Sequence, residues 1–212
     1  MNINKYIDIT LLKSNTSFED VDKLAAIAIK KGYRSVCIPP SYVGKIKNKY
    51  GKNLRISTVV GFPLGNIPLQ IKIEEIRKYI TDGADDLDIV LNIGAIKSGE
   101  WDIIRDEIYS FAGHSRFWNA TIKLIIEISY LEENDVARIC AIVNNTPNIH
   151  CVKTSTGFGK RDTTVEDIKI IRKYLHESKM VKASGGVRKK KLAIEMIEAG
   201  ANIIGTSTIF DE

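Results

Sequence analysis

The chain has 212 residues, 44% of them hydrophobic and 27% charged, which is ordinary globular composition with length for a large core in one or two domains. No apolar run is long enough to span a membrane, the start MNINKYIDIT lacks the apolar stretch of a secretory leader, and Cys37, Cys140 and Cys151 show no CxxC spacing, so the expectation is a cytoplasmic protein with reduced thiols. The formal net charge of +5 comes from basic residues spread over helical patterns such as KKGYR, GKIKNK and RKKK. That spread argues against nucleic acid, whose binding faces carry basic stripes interleaved with aromatics, and is compatible with attraction of a small phosphorylated molecule.

Short β-branched runs alternate with longer helical patterns along the whole chain. The strand candidates are 6–10, 35–39, 55–60, 86–91, 121–128, 149–154, 180–184 and 202–206, and the helix candidates between them are 18–31, 41–49, 68–82, 101–112, 131–144, 164–175 and 188–199. Thr16 or Ser17 starts the first helix as a cap, Thr163-Thr164 precede VEDIKIIRKYL, and Gly32, Gly83 and Gly200 follow helices as C-terminal caps. Eight strands alternating with seven helices predict α/β architecture with a parallel sheet, and the number eight favours a closed (β/α)8 TIM barrel, one domain over 1–212, over an open doubly wound sheet. The first strand is not followed by a GxGxxG turn, and the eighth helix is missing or truncated, because only TSTIFDE follows strand 8.

Alternation then assigns faces. In strand 5, positions 122, 124, 126 and 128 are isoleucine or leucine and must face the helices, which turns Lys123 and Glu127 inward. The same parity turns Asp8 and Thr10, Asp88, Cys151 and Lys153, and Lys182 and Ser184 inward, with Cys37 from strand 2 and Gly205 and Ser207 from strand 8. Asp8, Asp88, Glu127, Lys153 and Lys182 therefore converge near the C-terminal ends of the strands, where sites of this fold sit. A single inward acid or lysine is as readily a structural ion pair, but five from separate strands point to a site.

Lys153 in HCVKTSTGFGK and Lys182 in KMVKASGGVRK fall at one height on adjacent strands. A neighbouring ammonium and desolvation both favour the neutral amine, the form that attacks a carbonyl to make a Schiff base. Asp88 supplies a carboxylate for proton transfer. A glycine pair alone marks a tight turn, but Gly185-Gly186 follow strand 7 and Gly205 to Thr208 follow strand 8, the loops that hold phosphate in such barrels. His114, His150 and His176 are scattered without ligand spacing, so no metal or other cofactor is expected. Cys37 and Cys151 read as packing residues with no base beside them.

The segments YIDITLLK, SVCIPPSYV, TVVGFPLG, GADDLDIVLNIGAIKSG, LIIEI, VKTSTGF, VKASGGVR and GTS resemble the deoxyribose-phosphate aldolase family over nearly the whole chain. The resemblance implies a class I aldolase of deoxyribonucleotide catabolism. It would reversibly cleave 2-deoxy-D-ribose 5-phosphate to acetaldehyde and D-glyceraldehyde 3-phosphate. It implies Lys153 as Schiff-base nucleophile, Lys182 as the neighbour that favours its neutral form and Asp88 as proton relay. Asp8, Thr10, Cys37, Thr154, Gly185, Gly186, Gly205 and Ser207 would be substrate-binding residues, and the enamine on Lys153 would need no metal. Partners would be a small phosphorylated sugar and further copies of the chain, as a dimer or a tetramer. The sequence departs from the family pattern at Ile9, where many relatives have histidine, at Pro39, where asparagine is common, and after strand 8, where relatives continue with a helix and tail. Two other readings stay open on the residues alone: another Schiff-base barrel aldolase, and a non-catalytic binder of phosphorylated ligands.

Overall fold

The computed structural model describes residues 2–115 and 120–210. Eight parallel strands close into a barrel in chain order: β1 (Ile7–Thr10), β2 (Ser35–Cys37), β3 (Ile56–Val60), β4 (Asp86–Val90), β5 (Thr121–Ile125), β6 (Cys151–Lys153), β7 (Met180–Ser184) and β8 (Ile203–Thr206). The seam between the first and last strands is paired, with Ile7 opposite Ile204, Asp8 opposite Gly205 and Ile9 opposite Thr206. Among the described residues no helix follows β8; the β1–β8 ladder closes the seam, and Phe210 beyond it packs into the core.

Helices α1 (Phe18–Lys31), α2 (Val43–Tyr50), α3 (Leu69–Thr81), α5 (Trp101–Ser115), α6 (Glu133–Asn144), α7 (Val165–Tyr174) and α8 (Lys190–Glu198) match the seven expected, and a short α4 (Ile93–Lys97) adds to them. α4 has only five residues; the Asn92 side chain starts it by accepting from the Ala95 N–H, which is too brief for a periodic signal. Ser17 and Thr164 start α1 and α7 with reciprocal capping boxes to Asp20 and Asp167, and Gly32 ends α1 at φ 64°. Among the described residues no helix is long and apolar enough to cross a membrane.

The alternation read from strand 5 is observed. Ile122, Leu124, Ile126 and Ile128 pack with Ile7, Ile9, Leu87, Ile89, Val152 and Val181 in the apolar layer between barrel and helices. Burial of that layer at about 25 cal/mol per Å² is the main force holding helices to sheet. The ladder of strand 5 ends at Ile125, short of 128, because Glu127 takes a left-handed backbone (φ 46°, ψ 62°) and turns the chain into the next loop.

Candidate active site

The inward faces of the strands carry ions where barrels usually carry branched apolar side chains. Lys153 and Lys182 stand directly opposite each other on β6 and β7. Both donate to one oxygen of Asp88: Lys153 Nζ lies 2.8 Å and Lys182 Nζ 2.9 Å from Oδ2. The other oxygen, Oδ1, accepts from Lys123 at 2.9 Å. Lys182 reaches a second carboxylate, Asp8 Oδ2, at 2.6 Å, and Asp8 Oδ1 accepts from Arg34 and from the Ser35 hydroxyl. Gly205 is the residue that lets Lys182 through, since a Cβ there would lie 2.8 Å from the Ser184 Cβ and 3.2 Å from the Lys182 Cε.

The charges are held in place by each other. Burial opposes ionisation of Asp88, but the ammonium groups of Lys123, Lys153 and Lys182 outweigh it and hold the carboxyl well below the usual range. Burial likewise opposes the charge on Lys182, yet Asp8 and Asp88 outweigh it and push its pKa up, so Lys182 stays cationic. At Asp8, burial is outweighed by Lys182, Lys123 and Arg34, which bring the pKa from 3.8 down to about 2. A carboxylate depressed on folding stabilises above its unfolded pKa and loses that stabilisation as pH falls toward the folded one. The urea midpoint should therefore hold from pH 7 to about 5 and drop between about pH 4 and pH 2, with Asp8 alone contributing on the order of 2 kcal/mol. A flat midpoint down to pH 2.5 would contradict this.

Above the ions lies a cavity of about 240 Å³ between the loops after β1, β6, β7 and β8. Lys153 is the member of the lysine set that lines it. Gly185, Gly186, Gly205 and Ser207 line it as well, with Thr10, Ser184 and Arg188. The Thr206 hydroxyl donates to the Val187 carbonyl at 2.6 Å and ties the loops after β7 and β8 together. Gly186 has φ 77°, and a Cβ there would lie 2.0 Å from the Asp162 Cγ, so this position accepts no side chain.

Several expected site residues lie elsewhere. Thr154 is fully buried; its hydroxyl donates to the Ser184 carbonyl and accepts from the Ser184 N–H, both at 3.0 Å, so it clamps β6 to β7 and does not line the cavity. Cys37 is fully buried among the lysines and Asp88, off the cavity wall, and burial pushes its thiol up. Asp8 does not line the cavity; it is linked to Lys153 through Lys182 and Asp88. Glu127 does not join the lysines: its Oε2 accepts from the Thr156 N–H at 3.1 Å and from the Thr156 hydroxyl, which fixes the loop after β6. The inward parity of Lys123 was legible, but its position between Asp86 (2.8 Å) and Asp88 (2.9 Å) was not. Lys13, Thr156 and Phe158 line the cavity without having been singled out, being loop residues to which strand parity does not extend.

Among the described residues, no group of three or more His, Cys, Asp or Glu is arranged to hold a metal ion. His150 accepts the Ile122 N–H through Nδ1, His176 pairs with Ser178, and the side chain of His114 lies outside the described residues. Cys37, Cys140 and Cys151 are free and buried.

A (β/α)8 barrel with lysines and one shared carboxylate under a glycine-lined cavity is the frame of an amine-using enzyme of small anionic substrates. The DeoC/LacD family aldolase model matches residues 3–208, and the chain belongs to that family. It is similar to the deoxyribose-phosphate aldolase of Thermococcus gammatolerans, with 42% identity over 212 residues that cover 98% of this chain and 93% of that one. Among solved structures it resembles the aldolase QR15 (TM-score 0.91, 35% identity, 97% of this chain and 91% of that one). It also resembles the tetrameric deoxyribose phosphate aldolase of Aeropyrum pernix (TM-score 0.90, 29% identity, 97% and 87%).

Proposed function

We infer that the chain is a deoxyribose-phosphate aldolase, cleaving 2-deoxy-D-ribose 5-phosphate reversibly to acetaldehyde and D-glyceraldehyde 3-phosphate. The observation that carries the mechanism is that Lys153 alone of the buried lysine set faces the cavity while sharing Asp88 Oδ2 with a second lysine. Five cations (Lys123, Lys153, Lys182, Arg34 and Arg55) meet three carboxylates (Asp8, Asp86 and Asp88), an excess of 5 − 3 = 2 positive charges. The excess favours release of a proton from the set, and the amine at the cavity is the one placed to use the freed lone pair.

The amine of Lys153 adds to C1 of the open-chain sugar, and loss of water gives the iminium. The C3 hydroxyl gives up its proton, the C2–C3 bond breaks, and its electron pair passes into the enamine. Glyceraldehyde 3-phosphate leaves; protonation of the enamine at C2 and hydrolysis release acetaldehyde and restore Lys153. Asp88, held between Lys153 and Lys182, passes protons between them and keeps both heads in place. The whole of 1–212 serves as one catalytic domain. Three buried free thiols suit a reducing cytoplasm, and the tetramer described for the Aeropyrum relative supports assembly of this chain with copies of itself.

The substrate's phosphate is placed against Gly185-Gly186 and Gly205-Ser207, where backbone N–H groups and a hydroxyl would hold a dianion. Ser207 is exposed and lines the cavity, so its replacement tests the site without disturbing the core. Release of both aldehydes from deoxyribose 5-phosphate should be measurable in a coupled assay. Ser207→Asp should lower kcat/KM for that substrate more than about tenfold, since a carboxylate against the dianion removes remote binding energy. It should leave reaction with unphosphorylated 2-deoxyribose nearly unchanged. Equal losses for both sugars would place the phosphate elsewhere.

A further inference from the structure

Below Asp88 the ions do not stop. Lys123 stands opposite Asp88 on β5, and its Nζ reaches down to Asp86 Oδ2 at 2.8 Å. Asp86 and Asp88 are two residues apart on β4, so they share a face about 6.6 Å apart along the strand. Asp86 Oδ1 then accepts from the Arg55 Nη2 at 2.5 Å, and Arg55, 42% exposed, opens to solvent. A continuous file of alternating sign thus runs from the reacting amine to the N-terminal side of the barrel: Lys153, Asp88, Lys123, Asp86, Arg55. Arg34 bridges Asp86 to Asp8, each at 2.7 Å, and through Asp8 to Lys182, so the file has a second arm.

Stability alone does not explain the lower half. Buried ion pairs are commonly no better than apolar side chains of equal volume, and barrel interiors are ordinarily filled by branched apolar layers. Here the layer under the site is built from Asp86, Lys123 and Arg34, and every ion in it is connected to Asp88 or Asp8. A low-dielectric file of this kind transmits a change of charge at one end to the other with little screening.

We propose that Asp86 and Arg55 are positioning residues for the aldolase reaction, acting on the reacting amine from the far end of the barrel through Lys123 and Asp88. The proposal rests on the Schiff-base reading above. Neither residue lines the cavity, so neither touches substrate. The charged and titratable groups that face Asp86 are Arg34, Arg55, Lys123, Asp8 and His150; those that face Lys153 are Asp88, Lys182 and the Cys37 thiol.

The sign of each effect follows. Asp86→Asn removes a negative charge and eases loss of a proton from the lysine set. The rate of borohydride-trapped adduct formation with acetaldehyde should then rise at lower pH than in the wild type, by about one pH unit for a charge roughly 10 Å away at an effective dielectric of about 20. Arg55→Gln removes a positive charge and should move the same rise the opposite way, by a smaller amount of about 0.3 unit because Arg55 is partly screened. Arg55→Lys should restore the wild-type profile. Adduct formation by the full chain across pH 5 to 10, with melting checked for each variant, supports the proposal if the two shifts are opposite in sign. Should Asp86→Asn fail to fold, the Arg55→Gln shift and its reversal in Arg55→Lys decide. A uniform loss of rate without a shift, or shifts of the same sign, overturns it and leaves the aldolase reading standing. A wild-type protein that forms no adduct overturns both.

Discussion

Asp88→Asn is expected to cut turnover by about 10²–10⁴-fold, the worth of a positioned acid/base, and also to destabilise the fold by about 3–5 kcal/mol. The second effect is absent from a view of Asp88 as a proton carrier alone. Its two oxygens hold three buried ammonium groups, at 2.8, 2.9 and 2.9 Å. Asparagine keeps the shape but leaves those charges under-compensated, and buried unpaired charge is among the costliest defects a core can carry. The variant should regain stability as pH rises. Lysines that lose a carboxylate have folded pKa values below the unfolded value of about 10.4, so the unfolded state binds more protons in that window and stability increases with pH. Urea titrations at pH 7 and pH 9.5 read this directly. Wild-type midpoints at both pH values would show that Asp88 does not compensate the lysines.

Lys182→Met should lower turnover at neutral pH by at least about 10²-fold while leaving Lys153 able to form its adduct at alkaline pH. Methionine fills the volume that Gly205 leaves open for the lysine stem, and Asp8 keeps Arg34 and Ser35 as partners. What is lost is the cation beside Lys153, held charged by Asp8 and Asp88. Without it the positive excess of the set falls from two to one, so adduct formation should require a higher pH. Trapping at pH 9.5 should label this variant and trapping at pH 6.5 should not. Labelling at neither pH would reverse the assignment of nucleophile and neighbour.

The part of this site legible in the sequence is the part that strand periodicity reaches. Alternating isoleucines and leucines fix which residues point inward, so Lys153, Lys182 and Asp88 emerge as a set, and consecutive parallel strands bring the two lysines side by side. Periodicity says nothing of how far a long side chain travels once inside, which is why the downward reach of Lys123 to Asp86 and the entry of Arg34 and Arg55 were missed. It also fails where a strand ends. Glu127 leaves β5 in a left-handed conformation, so the inward reading by parity did not carry to its side chain, while Thr154, expected in the site from the resemblance, follows the last residue of β6 and turns into the clamp with Ser184. The short segment after strand 8 carries no signal about closure, which lies in the ladder between β1 and β8.

Peptide mapping of the borohydride-trapped acetaldehyde adduct is the most direct measurement of the central claim, because it reports the bond between enzyme and substrate carbon. The wild-type protein should gain one ethyl group, about 28 Da for a reduced two-carbon imine, on the peptide that contains Lys153, and Lys153→Ala should gain none. An adduct that maps to Lys182 or Lys123, or one that persists unchanged in Lys153→Ala, would contradict the account.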